Sequence, residues 1–250
     1  RRLLEEMPPG GGHCTWDDHD FAWNNAVGGH ADAKHAVPLD KRLTSRELFE
    51  QYRDALAARP AAYPPPPEWP AIRESVPDRG GVHASFDADG VRFIVLDERT
   101  WADLPGDNAE LIGEPGTPQD LWLVEQLRGA GDEVVICSSA TISSGTCWRD
   151  YPNAWRRLQE MLQARKVLFL SGDVHVNALR SHGNAFGGTP IHEATSSGLA
   201  ITGYKPGYFG ALSNHGLLEI SPAHIAITLY RDNGKPDGAM RIRRSDWQLA

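Results

Sequence analysis

The run Val167-Leu168-Phe169-Leu170 passes directly into Ser171-Gly172-Asp173-Val174-His175. Four consecutive apolar residues at the heart of Lys166 to Leu170 predict a buried strand, covered on both faces, which demands a layered fold. The polar residues then arrive together where such a strand ends. In α/β folds, functional groups concentrate at the carboxyl ends of strands. Gly172 allows backbone to approach a metal or a phosphate closely. Asp173 and His175 are two apart, so in an extended segment both face the same side.

A second cluster lies near the amino terminus: Trp16-Asp17-Asp18-His19-Asp20, followed by Asn24 and Asn25. Three carboxylates and an imidazole within four residues repel or desolvate one another, and a cation relieves that conflict. Asp, Asn and His are suitable ligands for Fe, Zn, Mn or Ca. A polar surface turn is the simpler reading of such a run. Trp16, Phe21 and Trp23 argue against it, because solvated charge runs are not interleaved with large aromatics.

The rest of the chain reads as alternating strands and helices. Thr44 to Glu47 has a capping-box pattern, predicting a helix that starts there and runs to Arg59. Val82 to Phe86 and Val91 to Leu96 predict a hairpin turning at Asp89-Gly90. Thr117 is a candidate cap for a helix with an apolar face of Leu121, Trp122, Val124 and Leu127. Glu133 to Ile136 predicts a strand and Asn153 to Arg165 a helix. Ile191 to Thr195, Gly216 to Ile220, Ala223 to Tyr230 and Ala239 to Arg243 predict further strands. Pro64 to Pro67 predicts a stiff connector inside one domain. The expectation is a single α/β domain over residues 1–250, layered as a sandwich.

The net charge of -8 argues against a general nucleic-acid binder, which needs a basic stripe. It leaves a phosphate ester open as substrate, because bound cations reverse the local field. No apolar run approaches the roughly 18 residues of a membrane span, and Arg1 to Met7 has no signal-peptide core. The odd count of three cysteines, Cys14, Cys137 and Cys147, gives no disulfide framework, although one disulfide is possible. Cys137 reads as a small buried hydrophobe. Asp97 and Arg99 read as an internal ion pair, and Ser196 to Gly198 as a loop able to contact phosphate. His192 and Glu193 should face opposite sides of a strand. His13, His30, His35 and His83 read as exposed loop residues. No nucleophile elbow, P-loop or dinucleotide fingerprint is present.

Taken together, these motifs resemble the PhoD-like alkaline phosphatases of the calcineurin-like metallophosphoesterase superfamily. The resemblance rests on Trp16 to Asp20 with Asn24-Asn25 and on Arg92 to Arg99, which ends in an LDxR pattern. It continues through Leu111 to Glu114 with Gln119, Trp122, Leu123, Gln126 and Leu127. Leu170 to His175, Glu193 to Gly198 and Asn214 to Gly216 complete it, in family order. It implies two β-sheets flanked by helices, and metal-dependent hydrolysis of small phosphate esters, monoesters or diesters, through an activated hydroxide. It implies two metal ions, Fe and/or Ca with Zn or Mn as options, held by Asp17, Asp18, Asp173 and His175. His19, Asp20 and Asn24 are the implied catalytic residues. Within that set, Asp17 and Asp20 are read as orienting His19 and the ligand carboxylate. Family members are often exported. The superfamily's early metal-binding acid and its VxxH ligand have no counterpart here, so the chain is expected to lack the first third of the family domain. A non-catalytic metal-binding or scaffold domain of the same fold is the alternative.

Overall fold

The computed structural model describes residues 12–29, 34–58, 80–198, 213–231 and 233–250. His30, Pro64 to Pro67 and the end of the helix expected to reach Arg59 lie outside them. A six-stranded sheet runs in the order β1-β2-β3-β4-β6-β5, and a three-stranded sheet in the order β7-β8-β9. Their strands are β1 (Ala84–Ala88), β2 (Val91–Val95), β3 (Glu133–Ser138), β4 (Lys166–Ser171), β5 (Ala178–His182), β6 (Ile191–Thr195), β7 (Asn214–Ile220), β8 (His224–Arg231) and β9 (Pro236–Arg243). β2, β3, β4 and β6 are parallel, with β1 and β5 antiparallel at the edges. The smaller sheet is an antiparallel meander.

The pleat explains the layers. Ile94, Val134, Ile136, Val167 and Phe169 point to one face, where Leu123, Leu127, Leu158 and Leu162 of two helices cover them. Val91, Phe93, Val135, Leu168 and Ala194 point to the other face, where Ile225, Ile227 and Leu229 of the second sheet cover them. Strands buried on both faces carry apolar residues at nearly every position, which is why β4 reads as a continuous run. The architecture is an α/β sandwich of two sheets flanked by helices, as expected. A smaller third core gathers Trp16, Phe21, Ala26, Val37 and Val82.

The β1–β2 turn closes at Asp89 and Gly90, with φ of 50° and 77°. Two positive values in a two-residue loop make the right-twisted hairpin turn that Asp-Gly favours. The helices are α1 (Asp18–Phe21), α2 (Leu39–Ala58), α3 (Pro118–Gly129) and α4 (Pro152–Leu162).

Several boundaries depart from expectation. α2 starts at Leu39, not at Thr44; the Thr44 hydroxyl donates to the Asp40 carbonyl 2.8 Å away, a bond within the helix and no cap. The buried stripe of α3 is Gln119, Leu123 and Leu127 at spacings of four, and Leu121 is 61% exposed. The Thr117 hydroxyl donates back to the Glu114 carbonyl and does not cap the helix amides. α4 stops at Leu162, before Arg165. β3 continues past Ile136 to Ser138. β5, an edge strand with mixed polarity, is absent from the expectation altogether.

Candidate functional site

The carboxyl ends of β3 and β4 open into a cleft of about 400 Å³. Its lining includes Asp17 and Asp20 from the amino-terminal segment, and Gly172, Asp173 and His175 from the loop after β4. Two clusters far apart in sequence therefore share one wall-to-wall space. Asp18, 7% exposed, is not among the lining residues, but its charge reaches Asp173. The Asp173 carboxyl is held above its ordinary range, first by burial and then by the negative field of Asp17, with Asp18 adding to it. Arg99 opposes that rise.

The amino-terminal segment is anchored by Asp97. Trp16 Nε1 donates to Asp97 Oδ1 at 2.8 Å, and the Thr15 hydroxyl donates to the Leu96 carbonyl. Asp97 also accepts the backbone N–H groups of Val82, Arg99 and Thr100 and the Thr100 hydroxyl. The expected Asp97–Arg99 ion pair is therefore not the one formed. The carboxylate of Asp97 is saturated by backbone, and the Arg99 side chain turns to Asp17: Nε donates to Asp17 Oδ1 at 2.8 Å, and Nη2 shares the same oxygen. Arg99 is 8% exposed, so this pair is weakly screened.

Asp18 uses its carboxylate inside the chain. Oδ1 accepts the His19 N–H at 2.8 Å and Oδ2 the Asn25 N–H at 2.6 Å. Asp20 Oδ2 reaches back to the Asp17 N–H at 3.1 Å. His19 and Asn24 are exposed and are not among the residues lining the cleft.

The loop after β4 is not extended. Asp173 and His175 have φ of 63° and 57°, so the same-side argument from strand pleat does not apply. A Cβ on Gly172 would stand 3.1 Å from the Ser139 carbonyl, and the Gly172 N–H donates to that carbonyl at 3.2 Å. The approach is tighter than most side chains meet, which favours glycine there. Ser197 and Asn214 then fix His175: its N–H donates to Ser197 Oγ at 3.0 Å, and its carbonyl accepts Asn214 Nδ2 at 3.1 Å. The Ser196 hydroxyl donates to the Asn177 and Asn214 side-chain oxygens, so the serine loop is tied into the protein.

Two buried carboxylates behind the cleft escaped the sequence reading of site residues. Glu98, 0% exposed, accepts Ser138 Oγ at 2.6 Å, Ser139 Oγ at 3.0 Å and the Ala140 N–H at 2.6 Å. Burial pushes its carboxyl up to about 7, against those hydrogen bonds. Glu193, also 0% exposed, accepts the Ile142 N–H at 2.7 Å and Ser171 Oγ at 3.0 Å through Oε1. Its Oε2 lies 2.9 Å from His182 Nε2. Burial works to raise Glu193, and the bonds from His182, Ile142 and Ser171 outweigh it, leaving the carboxyl below its ordinary range. Ser138, Ser139 and Ser171 all line the cleft, so its back wall rests on these two acids. For Glu193, a charged residue inside an apolar strand was the available signal; Glu98 lies past the end of β2 and had none of that kind. His192 faces the opposite way, with Nε2 2.9 Å from the Trp247 carbonyl.

Other readings can be placed. Cys137 is a buried thiol pushed up to about 12, an inert hydrophobe at the cleft floor, and all three cysteines are free. His83 is not an exposed loop residue: it is half-buried against Trp122, with ring centroids 4.4 Å apart, and burial lowers its pKa. His35 is also half-buried, and His13 is exposed and stacks on Phe86 at 3.6 Å. Among the described residues, no group of three or more His, Cys, Asp or Glu side chains stands ready to hold a metal. No helix among them is long and apolar enough to cross a membrane.

No protein-family model matches the chain, and no curated protein matches it in sequence. Among solved structures, the chain is similar to one described as "Structure of PhoD", with a TM-score of 0.64 and 15% sequence identity. The match covers 94% of this chain and 53% of that one, so the chain spans about half the length of its structural relative. At that identity the likeness is one of fold: the two-sheet sandwich described above is the fold of the PhoD structure.

Proposed function

We propose that the chain hydrolyses phosphate esters in a cation-dependent reaction at the cleft between Trp16 to Asp20 and Ser171 to His175. The observation that carries this reading is that Asp17, Asp20 and Asp173 line one cleft, with the charge of Asp18 reaching Asp173 and Arg99 already paired. A phosphate group repels such a wall unless a cation intervenes. The PhoD-like fold supports a phosphoesterase kinship at the level of architecture.

The donor chemistry suits a cation in charge, but the described side chains do not fit a ready-made two-metal centre. Asp17 is held by Arg99, Asp18 by two amides, and no three donors are gathered together. The chain's own groups bind and orient. Arg99 fixes Asp17 at the rim. Ser197 and Asn214 set the backbone of His175. His19, exposed and outside the cleft lining, is given no proton-transfer role.

The open donor set also favours a second reading, a cation-binding scaffold without turnover. Elemental analysis of the purified protein, with assays of p-nitrophenyl phosphate and bis-p-nitrophenyl phosphate in added Fe, Ca, Mn or Zn, separates the two. Cation-dependent turnover supports the hydrolase. Bound cation without turnover supports the scaffold. Neither bound cation nor turnover overturns both.

A further inference from the structure

Val95, Cys137, Leu170 and Ala194 are mutual register partners across β2, β3, β4 and β6. They form the last apolar row on the face turned toward the second sheet. Val95, Cys137 and Leu170 line the acidic cleft. Leu170 and Ala194 line a second cavity, of about 160 Å³, roofed by Leu218, Ile227 and Leu229 of the second sheet. The acid-rich end and the apolar cavity thus lie on one floor and meet at Leu170.

Gly216 lines the cavity. A Cβ there would stand 3.3 Å from Leu229 Cδ2 and 3.6 Å from Ser196 Cβ. Its φ is not in the left-handed region, so backbone conformation does not demand glycine. Space does. A cavity of about 150 Å³ walled by aliphatic side chains takes up benzene, so this one has room for one aromatic ring or a short alkyl chain.

We infer that the substrate's alcohol is apolar: the cleft takes the phosphoryl group of an aryl or short-chain alkyl ester, and the cavity beyond Leu170 takes the hydrocarbon. This inference rests on the phosphoester reading above and adds the substrate class to it. Ser171 and Ser196 share the lining, but their hydroxyls already donate to Glu193 and to the Asn177 and Asn214 side chains, so a sugar or polyol phosphate is disfavoured: most of its hydroxyls would lose water against Leu170, Ala194 and Leu229.

The test uses alkylphosphonates, which carry the phosphoryl group and cannot be hydrolysed at the P–C bond by this route. Methyl-, butyl- and hexylphosphonate are titrated calorimetrically into the full chain with manganese present. Affinity should rise about threefold to fourfold per methylene until the cavity is filled, then level off. Gly216→Val should abolish the gain while leaving methylphosphonate binding as it was. Leu229→Ala, which enlarges the same cavity, should move the plateau to longer chains and guards against misfolding of the first variant. Methylphosphonate binding with no dependence on chain length overturns the inference. So does a dependence that both variants leave unchanged. Turnover of p-nitrophenyl phosphate in the same preparations reports on the hydrolase reading separately, so a failed chain-length series alongside turnover sinks only the substrate class.

Discussion

Glu98 and Glu193 hold neighbouring amides of one loop: the Ala140 N–H donates to Glu98 at 2.6 Å and the Ile142 N–H to Glu193 at 2.7 Å. Both acids are fully buried, yet their environments drive them in opposite directions. Glu98 has hydroxyls and an amide, which do not offset its desolvation. Glu193 has His182 as well, and its carboxylate is favoured. The back wall of the cleft is thus held by one acid that burial pushes toward its protonated form near neutral pH and one that is ionised.

That difference has a pH signature. The folded-state pKa of Glu98 is raised to about 7, above its unfolded value, so the folded state binds the extra proton between the two. Stability therefore falls as pH rises from about 5 to about 8, by on the order of 2 kcal/mol from this group. Glu98→Gln should flatten that slope, whatever constant offset it introduces. Urea unfolding at both pH values checks this, and an unchanged slope would show that Glu98 does not titrate there.

Glu193 works in the reverse sense. Its pKa is depressed, so its contribution is present above the unfolded value and is lost as pH falls through the folded one. Glu193→Gln places an amide N–H₂ against His182 Nε2 or against the Ile142 N–H, and should cost roughly 2 kcal/mol. Hydrogen exchange is the informative readout: the Ile142 amide should exchange faster in the variant, whereas Ala140, held by Glu98, should keep most of its protection.

Asp97 should be the least replaceable carboxylate of the structure. It accepts from five donors, and Asp97→Asn turns an amide toward at least one of them, costing roughly 2–4 kcal/mol. Asp97→Ala should cost more. Thermal unfolding gives the answer; a variant within about 0.5 kcal/mol of the parent would mean that these bonds are replaced by water.

Arg99→Met removes the only guanidinium paired to the acid cluster in the described residues. The fold should lose roughly 2 kcal/mol, less than for a fully buried pair because Asp17 is partly exposed. Added manganese should then stabilise the variant more than the parent, because Asp17 and Asp173 are left without a counter-charge. Equal shifts in melting temperature would show that the cation binds away from this cluster.

The layered fold was legible because its signals are local: the apolar run of β4, the Asp-Gly turn between β1 and β2, and the alternation along β8. Of the candidate site, the two clusters were visible as residue types out of place. Their bonding was not. Arg99 sits two residues from Asp97 and could have paired with it, but Asp97 is taken by the local amides of Arg99 and Thr100 and by the Val82 amide and Trp16 indole that only the folded chain brings near. Glu98 sits beside the LDxR arginine and Glu193 inside a β-pattern, and nothing local says that both reach the same loop. The positive φ of Asp173 and His175 was equally hidden, since the valine between them favours an extended chain.

The central claim is that the amino-terminal acids and the Gly172-Asp173-Val174-His175 loop serve one cation-dependent centre. Electron paramagnetic resonance titration with manganese tests it most directly, in the parent and in Asp18→Asn and Asp173→Asn. The account predicts a bound ion in the parent and a loss of about tenfold or more in affinity from either substitution alone, with ester hydrolysis falling in step. Manganese binding that survives both substitutions unchanged would contradict it.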